Sequence, residues 1–469
     1  MPFAGNTNTR RDLDTCRKDY ETLIKTQRYY HAQNPMLAPS AARYVQNLAQ
    51  ETKFDVSDQL AVVTGVYYES HAYYVAQELA CLGAHVILVA RKEANLLESL
   101  ADIEDEALRR GRNTVAVHYQ TCDFGSLASI KDAADEISRI AVSKYQGRLK
   151  LLVHGAGSGT DACKLTQDGL EYNAGFNFIG PHYFTKQLLP LLTAASGTGN
   201  DKPRVLFSTS IGHCLGRKFH PDRIADFPQE GGAPPGYIIY DKQENMIREA
   251  YPTPPPPQLA DYWQRFRSQE PAPEQPDLAM VGTQVARSKL AIIADASHFT
   301  KLYPKICFVS YHPGSIRTDK VNMVGNMFRF SASQGARAAL RAALDPDFSS
   351  EPSLQGAYLH CDGNPWEPEI PLTKDPKTGN PYHWEPFAES CYDAAEKLIA
   401  KLARPKASVE NPEDLAERED AGKVVAEKEA VASTDLSEKT NVVALVGETS
   451  KESKVTELVN EDSISSTSY

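Results

Sequence analysis

Short runs of continuous apolar residues recur between residues 60 and 311, and longer amphipathic patterns separate them. The apolar runs span residues 60–63, 85–90, 115–118, 151–154, 204–208 and 306–311. The patterns with helical spacing span residues 73–82, 96–110, 130–143, 170–192 and 288–298. Continuous apolar strands that alternate with amphipathic helices are typical of a parallel sheet covered on both faces. The pattern therefore predicts an α/β fold built on a doubly wound parallel sheet.

Three segments fall outside this alternation, and a single domain at 57–400 accounts for the rest. Residues 1–56 carry helical patterns broken at Pro35 and Pro39, which predicts a helical N-terminal extension. Residues 219–278 contain the runs PPGY, PTPPPP and PAPEQP, which indicate a proline-rich insertion whose aromatic residues favour a lid. Residues 405–469 alternate Glu, Lys, Ser and Val without an aromatic residue before Tyr469. This composition predicts a disordered acidic tail.

Composition and charge narrow the class of protein. The formal net charge is -11, but residues 404–469 alone hold 15 acidic and 8 basic residues, so the remainder is close to neutral. This balance argues against a protein that coats nucleic acid or an anionic membrane surface. Eight cysteines are scattered without a C-x-x-C pair, and no run of about 18 apolar residues occurs. We therefore expect reduced thiols, a cytoplasmic location, no metal site and no integral membrane segment.

Landmark residues occur along the alternating region in a definite order. They are Thr64-Gly65 after the first strand, Arg91-Lys92 after the second, Cys122-Asp123 after the third, VHGAGSG after the fourth, then Asn177-x-x-Gly180, Ser208-Thr209-Ser210, Ser288-Lys289, and His312-Pro313-Gly314 before Thr318. In this order and spacing they resemble the short-chain dehydrogenase/reductase family, and within it the retinol-dehydrogenase-like branch. The resemblance covers about residues 57–365. It implies a Rossmann-like domain that binds ligands at the carboxyl ends of its strands.

The resemblance also implies a nicotinamide dinucleotide cofactor. The positions that match the family's cofactor-binding residues are Gly65, Arg91, Lys92, Asp123, Gly155, Lys289, Pro313, Gly314 and Thr318. Arg91 and Lys92 stand where an NAD enzyme carries an acidic residue for the ribose 2′-hydroxyl, and a guanidinium there suits a 2′-phosphate. The expected cofactor is therefore NADP(H).

Three further positions match the family's catalytic residues. Ser210 matches the serine that hydrogen-bonds the substrate oxygen, and Asn177 matches the asparagine that holds a water in the proton relay. Lys289 matches the lysine that grips the ribose hydroxyls and lowers the pKa of a tyrosine one helical turn before it. The resemblance thus implies hydride transfer to or from a carbonyl or alcohol carbon.

Two stretches depart from the family pattern. The first turn reads TGVYYESH, so Glu69 and His71 replace two glycines that let the backbone approach a pyrophosphate. A carboxylate about 4 Å from that pyrophosphate would cost on the order of 4 kcal/mol, which a cationic His71 would offset. The second departure is Val285, which stands four residues before Lys289 and cannot donate a proton. A tyrosine of the insertion could supply the proton instead, and the candidates are Tyr237, Tyr240, Tyr251 and Tyr262.

Three functional hypotheses follow. The first is an NADP-dependent oxidoreductase that acts on the carbonyl or alcohol of a hydrophobic, sterol-, retinoid- or polyketide-like small molecule, with an apolar wall at 321–328. The second is a catalytically inactive protein of the same fold that binds a protein partner through the insertion or the tail. The third is a lyase or isomerase that uses Lys289, His71 or His213 as a base. The resemblance also implies a homodimer.

Overall fold

The computed structural model describes residues 34–36, 38–158, 165–196, 202–216, 220–225, 238–240, 246–249, 280–317, 329–368 and 382–403. By its contacts the chain divides into two units, Met1–Arg404 and Pro405–Tyr469, and every described residue belongs to the first. Several expectations therefore lie outside the described residues. They concern the segment before residue 34, Tyr237, Tyr251 and Tyr262 of the insertion, Thr318, the apolar wall at 321–328, and the tail.

The described strands form one large sheet and one small one. The large sheet contains β1 (Leu60–Thr64), β2 (His85–Ala90), β3 (Val117–Thr121), β4 (Leu151–His154), β5 (Arg204–Ser208), β8 (Cys307–Tyr311), β9 (Tyr358–Leu359) and β10 (Pro365–Trp366). Their order is β10-β9-β8-β5-β4-β1-β2-β3, and all neighbours are parallel except β9 and β10. In the insertion, β6 (Ile238–Tyr240) pairs antiparallel with β7 (Met246–Glu249). The predicted Rossmann-like doubly wound sheet is confirmed.

Helices cover both faces of the large sheet. They are α1 (Ala41–Glu51), α2 (His71–Cys81), α3 (Glu93–Arg109), α4 (Leu127–Lys144), α5 (Tyr172–Ala174), α6 (Gly180–Ala195), α7 (Met280–Leu302), α8 (Ala332–Gly335), α9 (Arg337–Leu344), α10 (Asp347–Ser350) and α11 (Trp384–Ala403). A π-helical turn, Gly175–Ile179, joins α5 to α6, and 3-10 turns span Ile211–Gly216, Pro221–Arg223 and Pro352–Leu354. None of the described helices combines the length and the apolar content needed to cross a lipid bilayer.

Successive residues of each strand point to opposite faces, so the sheet separates two apolar cores. One core contains Val62, Ile87, Leu152, Phe207 and Phe308 beneath α4, α6, α7 and α11. The other contains Val63, Leu88, Val153, Leu206 and Val309 beneath α1, α2, α3 and α9. Burial on both faces explains why the central strands read as continuous apolar runs in the sequence.

Strand β3 begins and ends later than the sequence predicts. The apolar run at 115–118 indicated the strand, but the observed strand is Val117–Thr121. Because β3 lies at the edge of the sheet, Tyr119 and Gln120 are only partly buried and Thr121 is exposed. A strand with one open edge tolerates polar residues, so hydrophobicity did not mark its end.

A buried charge cluster joins α6, α7 and α11. His182 Nδ1 lies 3.0 Å from both carboxylate oxygens of Asp295, and His182 Nε2 lies 2.8 Å from Glu396 Oε1. Both ring nitrogens therefore donate, which requires a cationic imidazole. Burial lowers the pKa of His182, but the charges and hydrogen bonds of Asp295 and Glu396 outweigh burial and raise the pKa to about 9. Lys186 Nζ adds an ion pair to Glu396 at 3.3 Å. The cluster couples the C-terminal helix to the helices that cover the sheet.

We expect the free energy of unfolding to fall as the pH rises through about 9, because His182 then loses the proton that both carboxylates bind. A histidine of the unfolded chain titrates near 6.5, so this contribution is complete below that pH. The raised pKa corresponds to roughly 3 kcal/mol. Denaturant titrations of the wild type and His182→Gln should show that their difference in unfolding free energy shrinks by about this amount between pH 6 and pH 10.

Asp222→Asn is the matched control. It removes the 3.4 Å ion pair between Asp222 and Lys397 of α11, in which both side chains are about two-thirds exposed. Exposed pairs contribute little, so this variant should keep the pH dependence of the wild type. The assignment would be wrong if His182→Gln kept that pH dependence too.

Candidate active site

A cleft of about 440 Å³ opens at the carboxyl ends of β1 to β5. Its walls come from the turn after β1, from Arg91 and Lys92 after β2, from Phe124 after β3, from residues 155–158 after β4, and from Ser208 of β5. Strands β1 and β4 are neighbours from which the strand order runs in opposite directions. Open α/β sheets bind ligands at this switch point. The fold therefore places the cleft where a ligand is expected.

Gly65 brings the turns after β1 and β4 into direct contact. Its φ is +78°, and a Cβ atom there would lie 2.5 Å from the Cα and N atoms of Ala156. A Cβ atom at Gly155 would lie 2.7 Å from both Ala72 Cβ and Thr64 O. No side chain fits at either glycine. Both positions were predicted from sequence, and both line the cleft.

Glu69 points away from the cleft although it replaces a glycine. Its φ of 58° lies in the left-handed region that favours glycine. The side chain of Glu69 is exposed and is not among the residues that line the cleft. Burial and, to a lesser extent, the charge of Glu69 raise the pKa of Tyr74. The expected repulsion between Glu69 and a bound pyrophosphate therefore has no basis in this arrangement.

His71 does line the cleft, and it is neutral. Burial, with the nearby charge of Lys289, lowers the pKa of His71 to about 4. The expectation of a cationic His71 is therefore wrong at neutral pH. Its Nε2 atom lies 3.4 Å from the hydroxyl of Tyr311, the last residue of β8. Tyr311 is fully buried, burial raises its pKa, and Ser208 is a further hydrogen-bond partner.

Arg91 and Lys92 give one end of the cleft a positive charge. Both side chains are exposed, and neither forms an ion pair within the described part of the chain. None of the described residues that line the cleft is acidic. Two cations that form no ion pair with the described residues favour an anionic ligand.

The opposite wall is aromatic. Tyr172 and Phe176 stack with their ring centroids 5.5 Å apart, and Phe124 contacts Phe176 edge-to-face. All three rings line the cleft. Asp123 stands next to Phe124, but its carboxylate accepts hydrogen bonds from the Gly125 N–H at 2.9 Å and from Gln167 at 3.4 Å. A flat, uncharged wall in the same cleft as two cations suits an aromatic ring that carries phosphate groups.

Asn177 ties the turn after β4 to α7. It lies in the π-helical turn, a feature common at functional sites. Its amide oxygen accepts from Ser158 N at 2.8 Å, while its Nδ2 donates to Ser158 O at 2.8 Å and to Ser288 Oγ at 3.1 Å. Ser288 Oγ donates in turn to Val285 O. The side chain of Asn177 thus holds the cleft wall in place.

Lys289 lies at the floor of the cleft. It is 6% exposed, and its Nζ donates to Ser208 O at 3.1 Å. A Cβ atom at Gly157, a residue of the cleft wall, would be 3.2 Å from Nζ. Burial lowers the pKa of Lys289 to about 8. The helix is held from its other side by Thr209, which donates to Lys289 O at 2.9 Å.

Ser210 begins a 3-10 turn just beyond β5. Its Oγ accepts from Gly212 N at 3.1 Å, and its carbonyl accepts from His213 Nδ1 at 2.8 Å. His213 is buried and packs edge-to-face against Tyr358. This arrangement gives His213 a structural position within the turn.

The structure brings together most, but not all, of the predicted site residues. Gly65, Arg91, Lys92 and Gly155 line the cleft, and Asn177 and Lys289 support its wall and floor. Pro313 and Gly314 do not line it. Instead Gly314, with φ +88°, packs so tightly that a Cβ atom would be 2.3 Å from Phe330. The two residues form a close turn after β8, and Thr318 lies outside the described residues.

Sequence reasoning missed Tyr172, Phe176, Ser158, Ser288 and Tyr311. For the first two a signal was present, because two aromatic residues four positions apart precede Asn177 and must share one helical face. No such signal exists for Tyr311, which meets His71 only through the tertiary fold.

A parallel α/β sheet with a cationic cleft at its switch point and a buried lysine at the floor defines a dinucleotide-binding type of protein. Comparisons agree with this class. Residues 59–210 match the model of the short chain dehydrogenase family. Over these residues the chain is similar to short-chain dehydrogenases.

Individual relatives are distant. A short-chain dehydrogenase/reductase of Armillaria gallica is 27% identical over 323 residues, which cover 66% of this chain and 83% of that protein. A polyprenol dehydrogenase of Homo sapiens is 29% identical over 156 residues, which cover 33% of this chain and 44% of the human protein. A solved short-chain type dehydrogenase/reductase from Mycobacterium ulcerans is 17% identical, with a TM-score of 0.42, and the match covers 66% of this chain and 90% of that one.

The left-handed conformation of Glu69 yields a stability prediction. Glu69→Gly should raise the unfolding free energy by about 0.5–1 kcal/mol, because relief of the left-handed strain exceeds the extra chain entropy of glycine. Glu69→Ala keeps the Cβ atom and should give no gain. Gln146→Gly is the matched control, since Gln146 has φ 56° and is also exposed. Denaturant midpoints check this, and an equal gain for Glu69→Ala would assign the effect to charge instead.

Proposed function

We propose that this chain is an NADP(H)-dependent oxidoreductase that acts on the carbonyl or alcohol group of a hydrophobic small molecule. The observation that carries the proposal is the cleft at the strand ends, which has two unpaired cations at one end, no acidic lining among the described residues, and Lys289 at its floor. The match of residues 59–210 to the short chain dehydrogenase family supports the reaction class. The retinol-dehydrogenase-like branch and a sterol-, retinoid- or polyketide-like substrate belong to the proposal as well.

The residues present fit a nicotinamide dinucleotide. Gly65 and Gly155 let the turns after β1 and β4 pack together at the switch point, Glu69 is exposed and does not line the cleft, and His71 is neutral. In this proposal Arg91 and Lys92 hold a 2′-phosphate, and Tyr172 with Phe176 forms a wall for the base. When bound, the cofactor supplies or accepts the hydride.

The protein's own groups would orient the reactants and handle the proton. Ser210 is the proposed partner of the substrate oxygen. Asn177 keeps the wall at Ser158 fixed to the helix that carries Lys289, so the floor and the wall cannot separate. The similarity of one third of this chain to a polyprenol dehydrogenase supports an alcohol substrate.

Arg91→Gln should weaken NADPH binding by about 10- to 100-fold and change NADH binding by less than about threefold, because only NADPH carries the 2′-phosphate that pairs with the guanidinium. Calorimetric titration of both cofactors measures the two constants. Arg148→Gln is the control, since Arg148 is exposed and precedes β4 at the opposite edge of the sheet. Equal losses for both cofactors would refute the assignment of the 2′-phosphate site.

A catalytically inactive binding protein is the second candidate. The observation that favours it is Val285, which leaves the family's proton-donor position without a donor. Such a protein would use the proline-rich insertion or the acidic tail to bind a partner. Purified protein that binds NADPH but oxidises none of it in the presence of long-chain aldehydes, retinal or steroid ketones would favour this candidate over the enzyme.

A further inference from the structure

Reduction of a carbonyl needs a proton donor at the floor of the cleft, and position 285 cannot supply one. Val285 is partly buried, and its backbone carbonyl is already engaged by Ser288. Tyr67 and Tyr172 line the cleft, but Tyr67 is exposed and Tyr172 stacks on Phe176. Other described groups that could donate in its place are His71, Tyr311, Ser210 and Lys289. Their surroundings differ enough to choose among them.

His71 and Tyr311 are poor donors. His71 is neutral at physiological pH, because burial and the charge of Lys289 lower its pKa to about 4. Tyr311 is completely buried, and burial raises its pKa. Its hydroxyl also lies between His71 Nε2 and Ser208. An unassisted serine such as Ser210 is a still weaker acid, so none of the three replaces the missing group.

The Lys289 ammonium lies against two residues of the cleft wall. Its Nζ lies 3.1 Å from Ser208 O, and a Cβ atom on Gly157 would be 3.2 Å from it. Both Ser208 and Gly157 line the cleft. Within the described structure one N–H bond of the ammonium is directed to Ser208, so the others remain for a ligand in the cleft. A tyrosine at position 285 would share this helix face with Lys289, but the short valine side chain carries no hydroxyl.

We propose that Lys289 is itself the proton donor to the substrate oxygen in this chain. The proposal rests on the proposed function. A bound reduced nicotinamide would supply the hydride to the carbonyl carbon. The carbonyl π pair would move to oxygen, and that oxygen would take a proton from Lys289 Nζ. The N–H bond breaks, its electron pair stays on nitrogen as a neutral amine, and water returns the proton. In the oxidative direction the neutral amine accepts the alcohol proton.

The electrostatics of the floor agree with this role. Burial lowers the pKa of Lys289 to about 8, close to the pH at which a general acid works best. His71 on α2 lies close enough for the charge of Lys289 to lower its pKa, and Tyr311 on β8 contacts His71 in turn. His71 titrates well below neutrality, and Tyr311 titrates above its ordinary value. Lys289 is therefore the group of these three that changes protonation between pH 6 and pH 9.5.

Lys289→Arg tests the proposal because arginine keeps the positive charge but does not release a proton. With NADPH and a panel of retinal, a long-chain aldehyde and a steroid ketone, we expect kcat to fall by about 10² to 10⁴. The calorimetric Kd for NADPH should change by less than about fivefold. Lys202→Arg is the matched control, since Lys202 is also partly buried and donates to one acceptor, Gln355 Oε1. This control should keep wild-type kcat.

Val285→Tyr supplies the donor that the chain lacks and should rescue Lys289→Arg. In the wild type, kcat for reduction should fall as the pH rises through about 8, because Lys289 loses its proton. In Val285→Tyr this fall should move to higher pH, because the tyrosine now donates. A role of Lys289 in holding the cofactor alone would give no rescue by the tyrosine.

A second readout needs no turnover. Pulse acetylation of the intact protein across pH 6 to 10, followed by peptide mass spectrometry, measures the titration of each amine. Lys289 should titrate near pH 8. Titration of Lys289 near 10.5 would overturn the proposal, because the ammonium would then be too weak an acid for efficient donation at neutral pH.

The remaining outcomes distinguish an error in the donor assignment from an error in the proposed function. Turnover that survives Lys289→Arg unchanged would overturn the donor assignment and leave the proposed function intact. Activity in Val285→Tyr but none in the wild type would overturn both the donor assignment and the proposed function, and would favour the inactive binding protein of the same fold. Absence of NADPH binding, or of turnover in both proteins, would overturn the proposed function and the donor assignment with it.

Discussion

The close contact between the turns after β1 and β4 is the constraint on which the site depends. Gly65 and Gly155 leave no room for a side chain, so the two turns and the start of α2 pack directly against one another. This contact fixes the position of His71 at the first turn of α2 and of Ser158 at the end of the β4 turn. Asn177 then binds Ser158 and Ser288, which places the helix carrying the buried lysine under the cleft. A side chain at either glycine would displace each of these groups.

The two replaced glycines of the first turn have different physical consequences. Glu69 adopts the backbone conformation that glycine favours, and its charged side chain reaches solvent. His71 instead places an aromatic ring in the cleft, where it faces the hydroxyl of Tyr311. The cost of the first change is local backbone strain, whereas the second changes the shape and polarity of the cleft floor without adding charge at neutral pH. The altered sequence therefore preserves an electropositive cleft.

The central strands could be predicted because both of their faces are buried, so apolar residues run without interruption over 151–153 in β4 and 205–207 in β5. The edge strand β3 could not be bounded in this way, because solvent reaches Tyr119 and Gln120. Within the site, strand-end positions such as Gly65 and Arg91 were predictable, since parallel strands bring their carboxyl ends to one edge. The contact between His71 and Tyr311 joins residues 240 positions apart and needs side-chain packing to be known.

Helix α11, the last described helix, belongs to the smallest part of the chain that we expect to fold. The family model ends at residue 210, and the sequence resemblance ends near 365, yet Phe387 and Cys391 of α11 belong to the same apolar core as Phe207. Removal of α11 would expose that core to water. The buried imidazolium of His182 would then keep one carboxylate partner, Asp295, instead of two. A fragment that ends near residue 365 would lose one of the helices that cover this face of the sheet. The shortest fragment suitable for expression should extend through residue 403.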